Sequence, residues 1–167
     1  MAIKNLEKHL YPSKIDIPES TRSQVVELLN QTLAATLDLY SQVKQAHWNV
    51  KGMNFYQLHL AFDDVASAVF PFVDTLAERA TSLGGNANGT VHQSANSSFL
   101  PEYPTLPINE KQHLEAVQER LALYLKHARE GIAKTDDLDD ETTNDIYIEI
   151  ARTLDQKLWF IEAHLQG

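Results

Sequence analysis

Apolar positions recur every three or four residues along four long stretches of the chain, and none alternates with the period of two expected of a half-buried strand. From Pro18 and Glu19, which suit a first helical turn, Val25, Leu29, Leu33, Leu37, Tyr40, Val43 and His47 share one face of a helix ending near Val50. Lys51-Gly52 breaks it, and Asn54 with Gln57 three residues later has the form of a capping box opening a second helix. That helix carries Leu58, Phe62, Val65, Val69, Val73, Leu76 and Ala80 and stops at Gly84-Gly85. Pro71 lies inside it and lacks an amide donor, so the reading is one kinked helix. Residues 84–107 hold three glycines, three prolines and clusters of Asn and Ser, a connection too long for a hairpin. A third helix opens at Asn109, again with Gln three residues on. It carries Leu114, Val117, Leu121, Leu125, Ala128 and Ile132 and ends before the acidic run that begins at Asp136. Ile146, Ile150, Leu154, Leu158, Ile161 and Leu165 mark a fourth. The expected architecture is an all-α four-helix bundle, residues 18–167, with a long crossover between helices 2 and 3, preceded by a flexible arm, residues 1–17.

Composition narrows the function. The 167 residues suffice for one domain, and 14 Lys+Arg against 23 Asp+Glu give a formal charge of −9. Such an acidic balance argues against gripping nucleic acid with the whole surface, since phosphate binding needs clustered cations. Cysteine is absent, so any metal must be held by His, Asp or Glu. No run of 18 apolar residues is present, which excludes a transmembrane helix, and the N-terminus lacks a secretory pattern. A cytoplasmic location is expected.

The candidate chemistry sits on the second helix. His59 and Asp63 are four residues apart, as are Asp74 and Glu78, so each pair shares a helix face and can reach one ion. Imidazole with carboxylate suits Fe(II), and carboxylate also stabilises the harder Fe(III). His59 and Asp74 are 15 residues apart, about 22 Å along a straight helix, so one chain cannot close a single site from both pairs. Two chains packed antiparallel about a two-fold axis can, giving two identical sites per dimer. His47, at the end of the first helix, completes the first half-site across the turn at Gly52. Each of these residues alone reads more readily as a solvated or locally hydrogen-bonded helix position; their combination points to metal.

The segment KQAHWNVKGMNFYQLHLAFDDVASAVFPFVDTLAERA, residues 44–80, closely resembles the signature of Dps proteins, the miniferritins called DNA-binding proteins from starved cells. The following LGG and the C-terminal LDQKLWFIEAHL are also similar to this family. The resemblance implies a ferritin-like bundle assembling as a hollow homododecamer. It implies oxidation of Fe(II), preferentially by hydrogen peroxide, and storage of Fe(III) oxide inside, a protection against oxidative stress. His47, His59 and Asp63 would be ligands from one subunit and Asp74 and Glu78 from its two-fold partner, with one or two irons per site, where zinc can also bind. Trp48 would stand beside the iron, or else fill the dimer interface. Asp136, Glu141 and Asp145 match the positions that line an acidic ion passage on the three-fold axis; the alternative is solvated charge at a loop and helix start.

Two other readings stay open. One is a nucleoid-associated protein packing DNA through the arm, with iron chemistry secondary. Lys4, Lys8 and Lys14 stand there beside Glu7 and Asp16, a weaker basic arm than the lysine-rich tails of DNA-condensing members, which argues against DNA binding. The other is a divalent-metal buffer without turnover. Glu110-x-x-His113 is a single Glu-x-x-His, whereas larger ferritins with a di-iron core inside the subunit need two.

Overall fold

In the computed structural model, which describes residues 10–166, the first stripe forms α1, Glu19–Asn49, opening directly after Pro18 as expected. The second stripe is interrupted. It forms α2, Phe55–Val69, and α3, Pro71–Ser82, with Phe70 between them still in helical conformation at φ −58° and ψ −40°. The single kinked helix of the sequence reading is therefore corrected to two helices meeting at one residue. Pro71 has no N–H to continue the ladder and takes the first position of a new helix, and the Val73 amide bonds to the Phe70 carbonyl at 3.1 Å instead.

The crossover contains a further element absent from the reading, α4, Val91–Ser97, whose Thr90 and Gln93 form a reciprocal capping box. Asn30 and Asp38 of α1 fasten the crossover by bonding Asn86, Asn88 and Ser98. Next comes α5, Glu110–Asp137, with the expected capping box of Asn109 and Gln112; it runs on through Asp136 and Asp137 rather than ending before the acidic run. Finally α6, Glu141–Ala163, is capped by Asp140, which accepts from the Thr143 amide.

α1 packs on α2, α3 and α5, while α5 pairs along α6. The pairing is antiparallel, with Arg129 on Asp155 and Gln118 on Glu162. The stripes meet in one core that includes Leu29, Leu33, Phe62, Leu76, Leu121 and Ile150. Two tyrosines are fully buried within it. Tyr124 reaches Thr36 at 2.6 Å, and Tyr147 reaches Thr32 at 2.7 Å; since the Thr32 hydroxyl donates to the Leu28 carbonyl, Tyr147 is the donor of their bond. Gly131 makes room for the Tyr147 ring, which a Cβ there would approach to 2.7 Å.

Of the expected arm, residues 1–9, including Lys4 and Lys8, lie outside the described residues. Residues 10–17 are non-helical as read, but they are fastened rather than free. The Tyr11 amide donates to Gly84 at 2.7 Å, and the buried Arg22 bonds the carbonyls of Ile17 and Leu83.

Candidate metal centre

The turn between α1 and α2 determines how the first two candidate ligands meet. Gly52 takes φ +144°, a conformation that L side chains resist, and the Glu110 side chain of α5 fills the space its Cβ would occupy. Glu110 accepts from the Asn54 amide at 2.7 Å and from its side-chain nitrogen at 3.2 Å. The expected capping box of Asn54 and Gln57 is thereby corrected, since Asn54 makes no side-chain cap and the start of α2 is held from the far half of the chain.

Across this turn His47 and His59 lie face to face, with ring centroids 3.7 Å apart and planes 21° from parallel. Nδ1 of His47 is 2.7 Å from the His59 carbonyl, and Nδ1 of His59 is 2.8 Å from the His47 carbonyl. A carbonyl only accepts, so both Nδ1 atoms carry hydrogen, and the neutral tautomer this selects has its lone pair on Nε2, the form in which imidazole binds metal. Asp63, one turn beyond His59, has Oδ1 4.0 Å from His47 Nδ1. Its carboxylate is held below the usual range, chiefly by the hydrogen bond that Lys44 donates at 2.6 Å. Lys44 was missed by the sequence reading, although its place one turn before His47 was the available signal.

Asp74 and Glu78 are exposed on successive turns of α3, with Asp74 in the first turn, where the helix dipole favours a carboxylate. Their neighbour Arg79 binds Asp140 and Thr143, which ties α3 to the start of α6. The structure thus brings His47, His59 and Asp63 to one place and leaves Asp74 and Glu78 on another helix. Among the described residues no three His, Asp or Glu side chains gather closely enough to hold an ion. Around the half-site, Trp48, Met53, Phe55, Tyr56 and Leu60 are exposed apolar groups. Asp136, Glu141 and Asp145 are all exposed where α5 passes into α6.

The other described histidines serve packing or lie on the surface. His113 is buried against the Tyr103 hydroxyl at 2.6 Å, His127 bonds Thr32, and the exposed His164 bonds the Phe160 carbonyl of its own helix.

Residues 26–167 match the ferritin-like domain family. A DNA protection during starvation protein from Agrobacterium fabrum is 38% identical over 156 residues, covering 93% of this chain and 96% of that protein. The chain belongs to the Dps family of ferritin-like proteins. Among solved Dps structures, DpsC from Streptomyces coelicolor superposes with a TM-score of 0.91 at 31% identity, over 96% of this chain and 94% of that one. Dps from Microbacterium arborescens, solved in a high iron form, superposes at 0.85 with 29% identity, over 93% and 100%. As in the sequence reading, no helix among the described residues of this Dps chain is long and apolar enough to cross a membrane.

Proposed function

We propose that this Dps protein oxidises Fe(II) with hydrogen peroxide at sites completed between two copies of the chain, and stores the Fe(III) product within a hollow homododecamer. The observation that carries this reading is the reciprocal bonding of His47 and His59, which commits both Nδ1 atoms to carbonyls and leaves Nε2 of each ring for metal, with the ionised Asp63 reaching to 4.0 Å from His47 Nδ1. Such a half-set binds a divalent ion weakly by itself, and Asp74 and Glu78 of a second copy supply the missing carboxylates. The exposed apolar groups around the half-site, Trp48 and Leu60 among them, suit burial against that copy. The high iron form of the Microbacterium relative supports iron as the metal.

Fe(II) enters as substrate, bound by imidazole and carboxylate, and the carboxylates stabilise it as it becomes Fe(III). Two Fe(II) ions give two electrons to one peroxide; the O–O bond breaks, two protons are taken up, and two waters form. No single-electron step then releases hydroxyl radical, so nearby DNA is spared along with other macromolecules. Asp136, Glu141 and Asp145 of symmetric copies draw cations inward by focusing their field. Zinc competes for the same ligands, and a cytoplasmic location accords with this chemistry.

Stopped-flow Fe(II) oxidation, started anaerobically with peroxide, tests the reading against an Asp63→Ala, Glu78→Ala variant. Fast oxidation by the native protein and its loss in the variant are expected. Equally slow rates in both would refute it and favour a metal buffer.

A further inference from the structure

The Lys44 side chain lies along α1 with only 18% of its surface exposed, and its ammonium has two anionic or electron-rich neighbours. One is Oδ1 of Asp63 at 2.6 Å; the other is the Trp48 ring, whose centroid is 6.0 Å away. Trp48 follows Lys44 by four residues, so the two share a helix face, whereas Asp63 reaches across from α2. The ammonium is a monovalent cation already seated on a carboxylate assigned above to a divalent one. Both cations on that carboxylate would stand only a few ångströms apart, and at a half-exposed site their repulsion is sizeable. The long, flexible lysine stem allows the smaller charge to move, and an indole face is a known resting place for it.

We propose that Lys44 is a placeholder cation for Asp63, which yields the carboxylate to an arriving divalent ion by moving its ammonium onto Trp48. This inference rests on the metal reading given above. Its consequence is selectivity. With Lys44 in place the half-site carries no uncompensated charge, so a cation must bind strongly enough to displace it. Lys44 also keeps Asp63 paired whenever metal is scarce. Trp48 thereby gains a task in the handover, in addition to covering the site.

Zinc serves as the probe, because it is redox-inert and takes the same His and carboxylate ligands. Its binding to the assembled protein is measured by calorimetry for the native chain, Lys44→Met, and an Asp63→Ala, His59→Ala variant. Tryptophan emission is followed in a Trp159→Phe background, which leaves Trp48 alone since the chain has two tryptophans. Lys44→Met is expected to bind zinc about tenfold more tightly. The zinc-dependent change in Trp48 emission is expected with Lys44 and not with Lys44→Met. Unchanged or weaker affinity in Lys44→Met would overturn the placeholder role and make Lys44 a support that orders Asp63. An identical emission change in both would overturn the handover to Trp48. If Asp63→Ala, His59→Ala binds zinc as well as the native chain, the metal reading itself fails, and the Lys44 assignment with it.

Discussion

Replacing Asp140 with alanine should destabilise the protein more than almost any other polar substitution. Asp140 is 1% exposed and serves three donors. Arg79 Nη2 approaches Oδ1 at 2.7 Å, the Thr143 amide does so at 3.1 Å, and the Thr143 hydroxyl donates to Oδ2 at 2.6 Å. Alanine removes the cap of α6, which costs about 1 kcal/mol. It also leaves a nearly buried guanidinium without its anion, a loss of roughly 3–5 kcal/mol when one partner of a buried pair is deleted. These contributions overlap in one small network, so about 4 kcal/mol in total is expected. At roughly 2–4 °C per kcal/mol for a chain of this length, the midpoint should fall by about 10 °C. Scanning calorimetry at matched protein concentration is the assay, because assembly makes the midpoint concentration-dependent. The double variant Arg79→Met, Asp140→Ala should recover part of the loss, since no unpaired charge then remains. A fall under about 3 °C for Asp140→Ala, or no recovery in the double variant, would refute the argument that the buried ion pair dominates.

Gly131→Ala brings a methyl group within 2.7 Å of the Tyr147 ring, so a loss of about 1–3 kcal/mol from overpacking is expected, read as a lowered denaturation midpoint. Acid should weaken the fold through His113 and His127, both held below their ordinary value of 6.5 by burial. The unfolded chain then binds more protons than the folded one. Stability is complete above about pH 6.5 and is lost as pH falls from there toward the folded-state values. Denaturant titrations across pH 5–8 should show this slope, and His127→Gln should flatten it.

Much of the fold was legible because each long stripe is bounded by residues with a mechanism: Pro18 before α1, Asn109 before α5 and the Gly84-Gly85 pair after α3. α4 escaped notice because its seven residues carry too little periodicity, although Thr90 and Gln93 stood at capping-box spacing. Asn54 and Gln57 had that spacing too, yet Glu110 claims Asn54, and no local pattern encodes a partner 56 residues away. The site follows the same division. Helical spacing was enough to set His59 and Asp63 on successive turns of α2, and Asp74 and Glu78 on successive turns of α3. The stacking of His47 on His59 depends on the backbone of the Gly52 turn, and the hold of Lys44 on Asp63 depends on how closely α1 approaches α2.

The reciprocal bonding of His47 and His59 makes the direction of each ring a property of the main chain. Each imidazole takes its orientation from the other residue's backbone carbonyl, which any replacement residue still supplies, so a substitution at either position removes one stacked ring but leaves the surviving ring its hydrogen bond. A singly substituted chain therefore keeps its remaining imidazole aimed as before, one ligand short. The aim of both rings is thus written in the main chain of a turn that joins residues 12 apart, and it outlasts the loss of either side chain.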